Sequence, residues 1–347
     1  MRIIKVSSGS AELSNLLLRQ SPEGKGIWGD CQFIVNKPLE RCDWWVVLHG
    51  SGLRLAEKTL CDPDHIVYIS MEPNESVGNI SKKFLEQFSQ LIICDRKVTH
   101  YNITYSNGFT WWVGMNLRHQ QGQHLFSAEY ALDYDQLTTM HRPEKKNRIS
   151  VVVSKKNFLE GHKKRLNFLE KIQKSSVANY IDIFGGGFNP ILDKWDAIAS
   201  YRYHLVLEND ITPDYWSEKL ADAFLGFSYP IYFGCPNIQD YFDSDSLLTI
   251  NIEDFDKTVA ILNDLISTNP YEKHVESIIR ARDKVLNQYN IFQLMASICD
   301  QHASRYIKCH LNPNSYYTDS VLKNIVKNVF YKNQLLMSLY RKLYNAL

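Results

Sequence analysis

The chain has 347 residues, 44% of them hydrophobic and 22% charged, with a formal net charge of +1. That length suits two domains of ordinary size, and that balance suits packed cores rather than disorder. A near-neutral charge gives no electrostatic footprint for nucleic acid, and no run approaches the roughly 20 uninterrupted apolar residues of a membrane span.

The opening MRIIKVSSGS reads as a strand over residues 2–6 and lacks the long apolar stretch of a signal peptide. Apolar runs at 44–48, 66–70 and 91–94 read as further strands. A helix is expected at 80–88, where Ile80, Phe84, Leu85 and Phe88 share a face. This is a βαβ alternation. Residues 141–148, HRPEKKNR, form a charged break containing proline and read as a linker. A second alternation follows, with a strand at 149–153, a helix near 162–174 and a strand at 180–184. The expected division is therefore 1–140, the linker 141–148, 149–316, and a C-terminal helix over 317–347.

That last segment repeats Leu322, Val326, Val329, Leu336, Tyr340 and Leu343 at helical spacing, beside Lys323, Lys327, Lys332, Arg341 and Lys342. Two readings stay open. One is a helix packed on the body with a solvated basic face. The other is a basic amphipathic helix lying on an anionic membrane surface. The seven cysteines are irregularly spaced without a C-x-x-C, which points to reduced thiols.

Residues 201–235 carry the most information. The run 203–207 has the length and β-rich character of a buried strand. It stops at Glu208-Asn209-Asp210. Thr212-Pro213 then reads as a helix start, with a hydroxyl at the N-cap and proline at the first helical position. Trp216, Leu220, Ala223, Phe224 and Phe227 would form its apolar stripe, and Tyr215, Glu218, Lys219 and Asp222 another face. Residues 229–233 read as the next strand. Loops at strand carboxyl ends, facing helix N-termini, are where parallel α/β sheets bind phosphates and nucleotides.

Competing motifs are weak. D-x-D, a metal-binding pattern, occurs at Asp62/Asp64, Asp133/Asp135 and Asp243/Asp245. His49-Gly50-Ser51-Gly52 has no G-x-S-x-G to accompany it, which argues against a hydrolase. Gly185-Gly186-Gly187 lacks the G-x-G-x-x-G spacing of a dinucleotide site. The histidines show no zinc spacing.

Glu208-Asn209, Asp214-Tyr215 and Glu218-Lys219 together resemble the E-N-S-x4-D-Y-x-T-E-K signature of glycosyltransferase family 10, the α-1,3/1,4-fucosyltransferases. Pro230 to Asn237, PIYFGCPN, resembles that family's P-[IV]-x-x-G-x-P-N continuation. Asp210 stands where the family usually has serine, and Ser217 where it has threonine. The resemblance implies an α/β fold of the GT-B type, two Rossmann-like domains facing a central cleft. The first would bind acceptor and the second nucleotide sugar. It implies an inverting, metal-independent transferase of the bacterial type, moving L-fucose from GDP-fucose to a hydroxyl of a surface glycan of the lipopolysaccharide or O-antigen kind. The acceptor would be an oligosaccharide or lipid-linked glycan, with no metal and no other cofactor. The setting would be cytoplasmic, with peripheral contact to the inner membrane. Two other readings are another GDP-linked deoxysugar as donor and a catalytically silent sugar-nucleotide or glycan-binding protein. A third is a metal-dependent enzyme using Asp243/Asp245.

The resemblance also assigns roles. Arg165, three residues before Phe168, and Lys219 would neutralise the diphosphate. Glu208, Asn209, Tyr215 and Glu218 would complete the donor site. Glu72, at the end of the 66–70 strand, would be the general base, with Glu75 as the alternative. Trp111 and Trp112 are candidates for stacking on an acceptor sugar.

Overall fold

The computed structural model describes residues 1–9, 14–73, 80–120, 123–155 and 160–318. Glu75 and the basic segment from 319 onward lie outside the described residues.

The first unit runs β1 (Arg2–Ser7), α1 (Ser14–Leu18), β2 (Ile27–Trp28), β3 (Cys31–Val35), β4 (Trp44–Leu48), β5 (Glu57–Cys61), β6 (Ile66–Ile69), α2 (Lys82–Leu85), β7 (Gln90–Ile92) and β8 (Ile103–Thr104). Seven of these strands form one sheet in the order β2-β3-β1-β4-β6-β7-β8. All its pairings are parallel except β2 with β3. Every residue of β4 and β6 is buried, as strands covered on both faces require. A two-stranded pair, β9 (Met115–Gln120) and β10 (Gln123–Tyr130), and the short helix α3 (Tyr134–Thr139) complete the N-terminal part.

The second unit runs β11 (Lys146–Val152), α4 (Glu160–Ile172), β12 (Ile181–Phe184), α5 (Lys194–Ile198), β13 (Tyr201–Leu207), α6 (Glu218–Leu225), β14 (Tyr229–Phe233), β15 (Leu248–Thr249), α7 (Phe255–Thr268) and α8 (Tyr271–Asp283). Its five strands are all parallel, in the order β12-β11-β13-β14-β15. Two predominantly parallel α/β sheets of this kind are the GT-B architecture expected.

The boundaries differ from the sequence reading in three places. The break at 141–148 is shorter than expected, because β11 already begins at Lys146 and Arg148 pairs with Asp182 at 2.6 Å. Phe109, Trp111, Val113 and Leu137 fall before that break yet pack in the core of the second unit. The chain then returns. In α9 (Ile291–Ile298), Ile291, Phe292 and Met295 pack on the first sheet. Farther on, β16 (Ile307–Leu311) pairs antiparallel with β5, and α10 (Asn314–Thr318) follows. Asn290 fixes the crossing. Its side chain caps α9 through the Phe292 N–H and donates to the Gln20 carbonyl at 2.9 Å. All seven cysteines are free and buried. Among the described residues no helix is long and apolar enough to cross a membrane.

Candidate active site

The site is built at the carboxyl end of β13. The Glu208 N–H donates to the Phe233 carbonyl at 2.9 Å, continuing the β13–β14 ladder by one rung. At this point the neighbouring chain must be glycine, since a Cβ on Gly234 would stand 2.6 Å from Glu208 Cγ. The Glu208 side chain is 0% exposed. A buried carboxylate needs donors, and Glu208 takes three. They are the Ser217 N–H at 2.8 Å, the Ser217 hydroxyl at 2.7–2.9 Å and the Lys219 ammonium at 3.2 Å. Closed off in this way, Glu208 positions Lys219 rather than presenting a carboxylate to a donor.

This demand for donors explains why the helix starts later than Thr212-Pro213 predicts. Thr212 is occupied in a local turn, where its N–H donates to Asp210 Oδ1 at 2.8 Å. Asp214 then adopts φ +64°, a left-handed conformation that ends any helix begun at Pro213. Its carboxylate accepts from Asn237 Nδ2 and Tyr241 OH, both at 2.8 Å, and its N–H donates to Asn237 Oδ1 at 2.8 Å. The helix begins at Glu218, with Ser217 as N-cap accepting from the Lys219 N–H. Lys219 therefore lies in the first turn, next to the N-terminal partial charge, and Tyr215 lies outside the helix.

Around this start the charges alternate. Lys219 Nζ lies 3.2 Å from Glu208, 3.4 Å from Glu218 and 3.0 Å from Ser217 Oγ. Burial works against its charge, but Glu208 and Glu218 outweigh that and hold its pKa above the ordinary lysine value. Burial likewise opposes ionised Glu218, yet Lys219 and then Lys194 pull its carboxyl down to about 2. The Lys194 ammonium bonds Asp222 at 2.8 Å and reaches Glu218 at 3.6 Å.

Arg165 is buried on α4 and donates from Nη1 to the Leu207 carbonyl at 3.1 Å. Its Nε is buried without a partner. Burial lowers its pKa, against the pull of Glu208, Glu218 and Tyr215. The start of α4 sits tightly on the Asn209 backbone, since a Cβ on Gly161 would overlap the Asn209 carbonyl oxygen. Asn209 Oδ1 is a buried acceptor without a partner. The Tyr215 ring is 1% exposed. Its hydroxyl is pushed well above the usual value by burial, then by Glu208, Glu218 and Glu72.

That last influence brings the first unit into the site. Glu72 follows β6, and the Ser70 hydroxyl donates to its carbonyl at 2.6 Å. Its carboxylate is among the charges that raise the Tyr215 pKa, after burial, Glu208 and Glu218. Arg96, after β7, pairs with Asp214 and stacks 3.7 Å from the Tyr105 ring centroid. Trp111 is fully buried in the second unit's core, with the Arg19 guanidinium 4.9 Å from its ring, so it is not placed to meet an acceptor. Trp112 is half-buried, with Lys194 Nζ 5.0 Å from its ring.

Each D-x-D pair has another occupation. Asp62 and Asp64 hold Arg305, Asp133 caps α3, and Asp243 pairs with Arg280 and Lys284 at 3.3 and 3.4 Å. Among the described residues, no group of three or more His, Cys, Asp or Glu is arranged to hold a metal ion. The residues that sequence reasoning missed are Lys194, Ser217 as a bridge between Glu208 and Lys219, and Gly161. Lys194 follows Asp193, which caps α5; nothing local marks it as facing α6.

Residues 142–306 match the family model described as "Glycosyltransferase family 10 (fucosyltransferase) C-term". Over those residues the chain is a family 10 glycosyltransferase domain, and Arg165, Glu208, Asn209, Tyr215, Glu218 and Lys219 all lie within it. Glu72 lies outside. The chain is 32% identical over 110 residues to a fucosyltransferase-like protein of Arabidopsis thaliana, covering 30% of this chain and 21% of that one. It is 29% identical over 170 residues to 4-galactosyl-N-acetylglucosaminide 3-alpha-L-fucosyltransferase 9 of Mus musculus, covering 47% and 45%. The chain thus spans less than half the length of these curated relatives. A solved structure of an alpha1,3-fucosyltransferase with GDP-fucose aligns with a TM-score of 0.44 and 14% identity, over 82% of this chain and 90% of that one.

Proposed function

We propose that this chain, with its family 10 glycosyltransferase domain at residues 142–306, moves L-fucose from GDP-fucose to a hydroxyl of a bacterial surface glycan, with inversion and without a metal. The observation that carries the reading is the pairing of Lys219 and Arg165 at one strand end, beside the N-terminus of α6. These cations and the helix dipole suit a departing diphosphate. In the reaction the acceptor oxygen bonds to the sugar's anomeric carbon while the bond from that carbon to the GDP β-phosphate oxygen breaks. Glu72 takes the acceptor's proton. Arg165 and Lys219 balance the charge left on GDP, and Asn209 and Glu218 hold the nucleotide ribose and the sugar, whereas Tyr215, 1% exposed, is too buried to touch them directly. The acceptor is an oligosaccharide or lipid-linked glycan of the lipopolysaccharide type. The enzyme works on the cytoplasmic side of the inner membrane.

The test is thermal stabilisation by a panel of GDP- and UDP-sugars in the presence of EDTA. A ligand at 100 times its dissociation constant adds about 2.7 kcal/mol. GDP and GDP-fucose should stabilise the protein and UDP-sugars should not. Stabilisation by UDP-sugars alone, or only with Mn²⁺, would overturn the reading. Preference for another GDP-deoxysugar would trace to Asp210. Donor binding with no transfer to any glycan would leave a binding protein.

A further inference from the structure

We propose that Lys194 is a positioning residue for donor binding, coupling the seam between the two units to Glu218. The seam is made by residues 111–114. Two of their carbonyls face the first unit, where Arg19 donates to Trp111 O at 2.7 Å and to Val113 O at 3.0 Å. The amides of residues 112–114 face the second. Trp112 and Val113 N–H groups both donate to Asp222 Oδ1, at 2.8 and 3.1 Å, and Gly114 N–H donates to Asp193 Oδ1 at 2.9 Å. Asp222 is therefore a point at which the second unit grips this segment.

The other oxygen of Asp222 takes Lys194 at 2.8 Å, and the same ammonium reaches Glu218 Oε1 at 3.6 Å. Glu218 Oε1 is in turn 3.4 Å from Lys219 Nζ. A continuous chain of polar contacts thus runs from the seam through Asp222, Lys194 and Glu218 to Lys219. The Asp222 side chain is 1% exposed and that of Lys194 11%, while Glu218 is 21% exposed and open to a ligand. A buried carboxylate that binds two amides on one side needs a cation on the other. Lys194 supplies it, and its remaining reach fixes one oxygen of Glu218. Burial raises the Asp222 pKa and Lys194 works against that rise, consistent with this balance. If residues 111–114 shift relative to α6, their amides leave Asp222 Oδ1, the Asp222–Lys194 pair rearranges, and Glu218 loses its orientation.

The inference rests on the reading of Glu218 as a donor contact, and the test separates the two. GDP-fucose affinity is measured by calorimetry, without metal, for the full chain and for E218Q, K194M, K194M/E218Q and K194R. Loss of a charge-assisted contact should weaken binding about tenfold in E218Q and about as much in K194M. Because Lys194 acts through Glu218, the double variant should bind no worse than about twofold below E218Q. K194R should restore affinity to within about threefold of the parent. Normal affinity in E218Q would remove the donor reading and this inference with it. Weakened E218Q with normal K194M, or additive losses in the double variant, would overturn the role of Lys194 alone. Where K194M does not fold, K194M/D222N removes the buried carboxylate charge together with its partner. Normal GDP-fucose affinity in that variant overturns the proposal equally.

Discussion

The Glu208 carboxylate, shut off from solvent, takes both the backbone N–H and the hydroxyl of Ser217, at 2.8 and 2.9 Å. One short side chain thus ties the end of β13 to the start of α6. The same hydroxyl accepts from Lys219 Nζ at 3.0 Å, so it also sets the height of the ammonium above the strand end.

Ser217→Ala removes a donor to Glu208 and an acceptor for Lys219 at once. Leaving a buried acceptor short of a partner costs about 1–3 kcal/mol, and urea unfolding should show that loss. Ser217→Thr keeps the hydroxyl and should stay within about 1 kcal/mol of the parent, the scale of an ordinary hydrogen bond. An alanine variant as stable as the parent would mean that Glu208 finds other donors.

Lys219→Ala should weaken GDP binding by about ten- to a hundredfold, the worth of a charge-assisted phosphate contact. It should also cost about 1–3 kcal/mol of stability, because Glu208 loses one of its donors where water does not reach. Calorimetry with GDP and urea unfolding check the two halves separately. Unchanged GDP affinity would remove the lysine from the diphosphate site.

Much of the fold was legible because parallel strands covered on both faces leave an unmistakable apolar run. The strands 44–48, 203–207 and 229–233 were expected from their runs, and β4, β13 and β14 cover them. What the pattern could not show was competition for donors. Thr212-Pro213 has the chemistry of a helix start, but Asp210 takes the Thr212 N–H and Asp214 turns left-handed, so the cap passes to Ser217. Nor does a local pattern say which sheet a segment will cover. Trp111 reads as a stacking surface and packs in a core, while Ile291 and Phe292 follow the second unit in sequence and pack on the first. The carboxylates and cations of the site lay in the resemblance. Lys194 did not, because its partners are 24 and 28 residues away on another helix.

Acid should destabilise the protein through His204 in the centre of the second sheet. The ring is buried with Nδ1 2.7 Å from Ser150 Oγ, and burial, aided by Lys194 and Lys145, pulls its pKa down to about 3. Unfolded, the ring takes a proton below about 6.5. Between those values the unfolded state binds a proton that the folded state refuses, so stability falls as pH drops from about 6.5 towards 3. Each such proton contributes a slope of up to about 1.4 kcal/mol per pH unit. His204→Asn keeps a polar atom near the Nδ1 position but does not titrate. Its unfolding free energy should fall less steeply between pH 6.5 and 4 than the parent's. Equal slopes would show that other groups account for the acid sensitivity.

Glu72 offers the sharpest test of how the two units work together. It follows the β6 strand in the first unit, where the Ser70 hydroxyl fixes its carbonyl at 2.6 Å. If it takes the acceptor's proton, Glu72→Gln keeps the size and the hydrogen bonds but cannot accept that proton. Transfer should fall by roughly a hundred- to ten-thousandfold, the usual contribution of a general base. GDP affinity should stay within about twofold of the parent, because Arg165 and Lys219 are untouched. Glu75→Gln should lower transfer far less, since Glu75 is three residues farther from the strand end. A large loss for Glu75→Gln with a mild one for Glu72→Gln would move the base to Glu75. Full transfer by both variants would place the base elsewhere and remove the end of β6 from that role. Loss of GDP affinity in Glu72→Gln would instead give Glu72 a part in holding the donor.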